Sequence, residues 1–207
     1  LALMATLSRA SFLAAGILFF AIGATQWRRP PVMASLLLVL LIVPFLAPGN
    51  VQDRVMNTFF GRQYGNEVKV MGVALDSSTS ERIRSWMKVV DGWSKKPVLG
   101  YGVTGYAWAD AQYVKILGET GLVGLVAFFF LLYRLWFLAR QAYVREQDPF
   151  LKGLAYGFLT GMVALLFHAI GANTFIIIRI MEPFWLCAGL VLLMPILERK
   201  EPSPAPP

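Results

Sequence analysis

The chain has 207 residues, 57% of them hydrophobic, with one cysteine, one histidine and a formal net charge of +7. A soluble domain is ordinarily about 45–50% apolar; here the excess, at a mean hydropathy of +0.60, is gathered into runs of about 17–25 residues, the length that crosses a bilayer core. A soluble globular class is therefore excluded, as are an intrachain disulfide and a Cys-based metal site, since Cys187 stands alone; His168 adds no metal-ligand cluster, and the basic balance reads as membrane topology rather than nucleic-acid binding.

The chain is already apolar at Leu1, with no basic stretch before the first span and no small-residue cleavage site after it. This is not a signal peptide, and the expectation is a piece of a longer protein with further spans upstream. Five spans are predicted: about Leu1–Ala24, Val32–Ala47, Leu122–Ala139, Leu151–Ile170 and Phe175–Leu197. The predicted organisation is two transmembrane helices over 1–48, a loop over 49–121, three transmembrane helices over 122–197 and a Pro-rich disordered tail over 198–207.

Arg28 and Arg29, then Arg140, Arg145 and Lys152, then Arg199 and Lys200 all fall on one side if the spans alternate. Basic short connections mark the cytoplasmic side. The tail is then cytoplasmic, and the long loop and the uncharged connection Gly171–Thr174 lie outside.

The loop carries structure of its own. Ser78 followed by Glu81 is a capping box. Ile83, Trp86, Met87 and Val90 recur at helical spacing, so an amphipathic helix is expected, with Arg82 one turn before Trp86. It must stop near Lys96, because Pro97 cannot continue it. Gly100, Gly102 and Gly105 predict a turn. A second helix is expected from about Asp110, with Tyr113, Ile116 and Leu117 on its early face, running on towards the third span. Trp86, Trp93 and Trp108 read most simply as anchors at the membrane interface.

Four ionisable residues fall inside or at the edge of spans: Arg9, His168, Arg179 and Glu182. A charge in hydrocarbon costs several kcal/mol by most scales, so such residues usually face a protein interior or a wet cavity. All four are predicted near the outer face, where the loop also lies. Arginines gathered there suit phosphate oxygens, which the guanidinium fork binds in pairs. Asp110 beside Tyr113 can serve as a general base if it reaches the proton.

Each residue also has a plainer reading. Arg82, Arg84, Lys88, Lys95 and Lys96 fit a solvated helix face. Asp110 fits a helix N-cap. Arg179 and Glu182 fit an i, i+3 ion pair, Arg9 fits a snorkelling side chain, and His168 fits a hydrogen-bonded packing residue. No P-loop, paired-glycine nucleotide fingerprint or carboxylate cluster occurs in the sequence.

These residues together resemble the C-terminal half of the O-antigen ligase/polymerase superfamily of bacterial surface-polysaccharide enzymes. The pattern runs Thr6-Leu7-Ser8-Arg9 in a span, then Arg82 four residues before Trp86, then Pro97, Gly100 and Gly102 in a Pro-x-x-Gly-x-Gly turn, then Glu119, Thr120, Gly121 and Gly124. Its specificity lies in order, spacing and shared topology. One departure matters: many ligases of the superfamily have a His-Asn pair where this chain has Asp110-Ala111.

The resemblance implies an all-α, polytopic membrane protein of glycosyltransferase-C-like architecture, with a large, partly helical extracytoplasmic loop. It implies glycan transfer from an undecaprenyl-pyrophosphate-linked donor at the outer face of the bacterial inner membrane, without metal, nucleotide or other cofactor. Membrane lipids are the other expected partners; nucleic acid is not one, and protein partners are left open. The expected catalytic residues are Arg82 and Asp110. Arg9, Arg179, Tyr113, Glu182 and His168 are expected to bind substrate. The departure at Asp110 favours a polymerase-like member, with a ligase proper and a transporter or flippase of a lipid-linked anion as the alternatives.

Overall fold

The computed structural model describes residues 9–46, 69–70, 73–74, 77–105 and 107–198. Six α-helices are found among them. They are α1 (Arg9–Gln26), α2 (Pro30–Leu46), α3 (Ser77–Lys95), α4 (Gln112–Arg145), α5 (Pro149–Gly171) and α6 (Ile178–Glu198), with a 3-10 turn at Thr174–Ile176 before α6. The strands β1 (Lys69–Val70) and β2 (Val73–Ala74) pair antiparallel, Lys69 opposite Ala74. They do not alter the all-α class.

Among the described residues three helices are long and apolar enough to cross a membrane: Gln112–Arg145, Pro149–Gly171 and Ile178–Pro195. The described parts of the first two expected spans fall on α1 and α2, apolar helices of 18 and 17 described residues, while residues 1–8 and 47 of those spans lie outside the described residues. Large side chains such as Phe130, Tyr133, Ile178 and Leu186 are exposed on the spans. That is the surface a helix bundle presents to lipid, because its backbone is already satisfied internally.

The core lies between α4, α5 and α6, where Leu132, Leu135, Phe158, Met162, Phe184 and Val191 interlock. The α4–α5 corner is built by its own carboxylates. Asp148 caps α5 by accepting from the N–H groups of Phe150 and Leu151, ahead of Pro149 in the first turn. The buried Glu146 accepts from Gln147 and Asp148. Helix α1 lies antiparallel along α5: Ser11 meets His168 at one end, and Thr25 meets Tyr156 at the other.

Helix α3 ends at Lys95, ahead of Pro97 as expected. The helix already begins at Ser77, so the expected N-cap Ser78 lies within its first turn; the Ser78 side chain is outside the described residues. The buried stripe of α3 differs from the one predicted. Val89 is 1% exposed, while Met87 and Val90 are 63% and 44% exposed. The reason is a close helix crossing: Val89 packs over Gly118, where a Cβ would come 2.7 Å from its Cγ1. This contact turns the Val89 face towards α4 and leaves Met87 and Val90 outward.

The predicted loop helix and third span are one continuous element, α4, interrupted at Gly121 (φ 65°, ψ −162°). An uninterrupted helix would bond the N–H groups of Leu122 and Val123 to the carbonyls of Gly118 and Glu119. Instead Leu122 and Val123 donate to Pro97 and Val98, at 2.9 and 3.2 Å. The released carbonyls of Gly118 and Glu119 accept from Tyr101 and Gly102, at 3.0 and 2.8 Å. The turn thus satisfies all four groups freed by the break. An unpaired backbone group in an apolar setting would cost several kcal/mol. Glycine is required on both sides of the exchange. Gly121 and Gly100 both have positive φ, and a Cβ on either would collide with the opposing backbone.

Candidate functional site

The exchange at Gly121 carries α3 and the α4 N-terminus over the ends of α1 and α5. Arg82, half-buried on α3, donates from Nη1 to the carbonyl of Gly171 at 2.8 Å. Gly171 is the last residue of α5 and also the point where α1 approaches, with the Ala10 Cβ 3.3 Å from the position a Gly171 Cβ would occupy. Three helices therefore meet at a residue with no side chain.

Beside this junction sits His168. Its Nδ1 is 2.7 Å from the Thr174 hydroxyl, and its Nε2 is 3.3 Å from the Ser11 hydroxyl. Tyr113 reaches the same end of α5, donating its hydroxyl to the Leu166 carbonyl at 2.6 Å. Its ring stacks on Phe129, with centroids 5.4 Å apart. Both ring nitrogens of His168 are thus engaged within the junction.

Two further bonds tie the α4 threshold to the α5–α6 corner. Asn173 Nδ2 donates to the Ala109 carbonyl at 2.9 Å, and the Gln112 Oε1 accepts from Phe175 N at 2.9 Å. Asn173 and Gln112 are 8% and 3% exposed. The Asn173 Oδ1 and the Trp86 Nε1 are buried without a hydrogen-bond partner among the described residues. Such groups are uncommon in native proteins, because each forfeits its hydration.

Arg82, Tyr113 and His168 are therefore brought together, at the end of the bundle where Arg9 opens α1. The side chain of Arg9 lies outside the described residues. Asp110 is not the helix N-cap: that position is Ala111, with no side-chain cap bond. The helix starts later because Gln112 is held by Phe175, and the exposed Asp110 carboxylate accepts from Trp108 Nε1 at 2.9 Å. Trp93 donates to the Pro97 carbonyl. Thus Trp93 and Trp108 each fix a turn of the loop.

Among the described residues no hydrogen bond or ion pair ties Arg179 or Glu182 to this junction. Both are exposed, and no ion pair joins them among the described residues, where the salt bridges are Lys95–Asp91 and Lys115–Glu119. The 3-10 turn delays α6 until Ile178, which places Arg179 in its first turn. Arg84, Lys88, Lys95 and Lys96 are exposed, as the solvated-face reading expects. Among the described residues no group of three or more His, Cys, Asp or Glu could hold a metal ion.

The motif glycines are hydrogen-bonded to the α4 threshold and Arg82 to the end of α5, and residues 1–129 match the family described as O-antigen ligase. That is more than half of the chain. The chain belongs to the O-antigen ligase family. No curated protein and no solved structure matches it. Membership implies glycan transfer of the O-antigen ligase/polymerase type. The family match spans Arg9, Arg82, the turn, Asp110 and Tyr113, and it ends inside α4. His168, Asn173 and Thr174 lie beyond it, yet the fold brings them to the same junction.

Sequence reasoning missed Ser11, Gln112, Asn173 and Thr174. A signal existed for two of them: Asn173-Thr174 is a polar pair in a very short connection between apolar runs, close after His168. Gln112 and Ser11 look like ordinary polar residues until their partners are known.

Proposed function

We propose that this chain transfers a glycan from an undecaprenyl-pyrophosphate-linked donor to a glycan or lipid acceptor at the outer face of the bacterial cytoplasmic membrane, as a polymerase-like member of its family. The observation that carries this reading is the bond from Arg82 to Gly171, which pins a loop arginine at the membrane end of the bundle, beside His168 and the start of α1. A lipid-linked pyrophosphate presents its anion at that depth.

In this reading the bond between the anomeric carbon and the phosphate oxygen breaks as the acceptor oxygen bonds to that carbon. Arg82, supported by Arg9, meets the charge growing on the departing pyrophosphate. Fixed donors in a site of low dielectric need no reorganisation to do so. Arg179 is assigned to the same anion from the exposed first turn of α6. Tyr113, His168 and Glu182 are assigned to substrate binding. Asp110 takes the proton of the acceptor hydroxyl. Its Oδ1 is held by the Trp108 N–H, an orienting partner of the kind a catalytic base needs, and Oδ2 is the oxygen assigned to the hydroxyl.

Asp110-Ala111 in place of the His-Asn pair favours a polymerase over a ligase proper. The test is Arg82→Ala and Asp110→Asn in the full-length protein, scored by polymer made from lipid-linked repeat units. Each variant should lose about 100-fold or more. Full activity in both would sink the residue roles, and movement of lipid-linked glycan without any change in glycan length would favour a flippase.

A further inference from the structure

Trp108 is 64% exposed, yet its ring is fixed. Its Nε1 donates to Asp110, and the Lys115 ammonium stands 4.4 Å from the ring centroid. Lys115 is itself held by Glu119 at 3.0 Å, with side chains only 12% and 17% exposed. The same Glu119 Oε1 accepts from Thr104 N at 3.0 Å. One face of the indole is therefore covered by a cation, one edge is tied to a carboxylate, and the rest of the ring is open.

An indole that inserts into lipid gains nothing from this collar. Asp110, Lys115 and Glu119 would be drawn towards the apolar phase with it, and charge transfer of that kind is costly. A sugar ring fits better. Its C–H groups carry partial positive charge and suit the negative face of an aromatic ring. Its hydroxyls project around the rim, where they meet the Asp110 carboxylate at the indole edge.

We propose that Trp108 is the stacking platform for the acceptor sugar, holding over its open face the ring whose hydroxyl Asp110 deprotonates. The proposal rests on the glycan-transfer reading and adds to it a subsite for the acceptor. Trp108 binds, Asp110 receives the proton, and Lys115 with Glu119 holds the indole from beneath.

Two substitutions separate the face of Trp108 from its N–H. Trp108→Gln keeps an N–H donor and removes the face; Trp108→Phe keeps the face and removes the donor. In full-length protein in lipid nanodiscs, Trp108→Gln should raise the acceptor KM about tenfold, as loss of a stacking ring does, with donor KM unchanged. Trp108→Phe should keep the acceptor KM within about twofold and lower kcat, because Asp110 loses its orienting partner. An unchanged acceptor KM in Trp108→Gln overturns the proposal.

Hydroxyl-radical footprinting of the unsubstituted protein is independent of how the variants fold. The probe is the oligosaccharide repeat released by mild acid from the producing cell's own surface polysaccharide. It should protect Trp108 from oxidation. Protection already complete in nanodiscs without sugar would assign Trp108 to the membrane and overturn the proposal. Protection by the oligosaccharide in a protein that transfers nothing would uphold the platform and sink only the transfer reading.

Discussion

The Arg82 guanidinium donates to the carbonyl of Gly171 across 2.8 Å, joining a loop helix to the last residue of a membrane span. Residue 171 has room for a methyl group and little more. A Cβ there would sit 3.3 Å from the Ala10 Cβ and 3.5 Å from the Arg82 Nη1. Gly171→Ala should be tolerated, with transfer within a few-fold of the parent. Gly171→Val should wedge α1 from α5 and push the guanidinium aside. Overpacking of this kind costs about 1–3 kcal/mol, and a displacement of about 1 Å at a site can cost about 100-fold in rate. Thermal unfolding in detergent, paired with a transfer assay, separates the two losses. An active Gly171→Val protein would show that the position of Arg82 is not critical.

The backbone exchange around Gly121 makes a contrast between glycines. Gly100 and Gly121 both have positive φ and face the opposing backbone closely. Gly102 has a φ of 85°, but a Cβ there would meet nothing within 4 Å. Gly102→Ala should therefore cost only the conformational penalty, about 1–2 kcal/mol. Gly100→Ala and Gly121→Ala should cost more, because the added carbon also breaks the four-bond exchange. Their melting temperatures should fall clearly below that of Gly102→Ala, and equal melting in all three would show that the exchange contributes little.

Much of this architecture was legible in the chain. The apolar runs that become α4, α5 and α6 need no long-range information, and the stop at Lys95 follows from Pro97 alone. The break at Gly121 was not legible as a break, because a glycine in an apolar run is tolerated within a helix. The family pattern contains both halves of the exchange, yet the bonds run between backbones 17 and 25 residues apart and leave no mark on side-chain type. Topology leads to an expected gathering of Arg9, His168, Arg179 and Glu182 beside the loop; of these His168 meets the loop's Arg82 and Tyr113 at the end of α5, while Arg179 and Glu182 are exposed and the Arg9 side chain lies outside the described residues. The Asn173–Ala109 bond was not, since its acceptor is a carbonyl that every residue has. The buried stripe of α3 was misjudged because a close approach at Gly118, on another element, decides which face turns inward.

Thr174 is fully buried, and its hydroxyl is the partner of the His168 Nδ1. Thr174→Val keeps the shape and removes the bond, leaving a ring nitrogen unsatisfied. The expected destabilisation is about 1–3 kcal/mol. Thr174→Ser retains the hydroxyl and should recover most of it. Chemical-shift measurement of the His168 ring nitrogens checks the assignment directly: the Nδ1 environment should change in Thr174→Val and return in Thr174→Ser.

Asn173 and Gln112 hold the segment carrying Asp110 against the α5–α6 corner. Asn173→Asp removes the donor and sets a carboxylate against the Ala109 carbonyl. A buried acceptor facing another acceptor should cost about 1–3 kcal/mol or more. Asp110 would then be held less firmly, so kcat should fall even where the protein remains folded. Gln112→Glu keeps the acceptor for Phe175 N and should be milder. A kcat in Asn173→Asp equal to that of the parent would show that this tie does not position Asp110.

The end of the bundle opposite Arg82 tests the proposed orientation. Arg29, Tyr143, Gln147, Lys152 and Tyr156 line a shared cavity of about 260 Å³ there, so the basic connections after α1 and α4 meet at one end. In the proposed orientation these basic connections are cytoplasmic, and Thr104 and the Arg82 helix lie outside. With Cys187 replaced by serine, Thr104→Cys should react with an impermeant maleimide in intact cells, whereas Gln147→Cys should react only after the membrane is opened. Thr104 is exposed in the turn and Gln147 is exposed at the α4–α5 corner, so folding does not shield either position. The reverse pattern of labelling would place Arg82 on the cytoplasmic side and remove the outer-face site altogether.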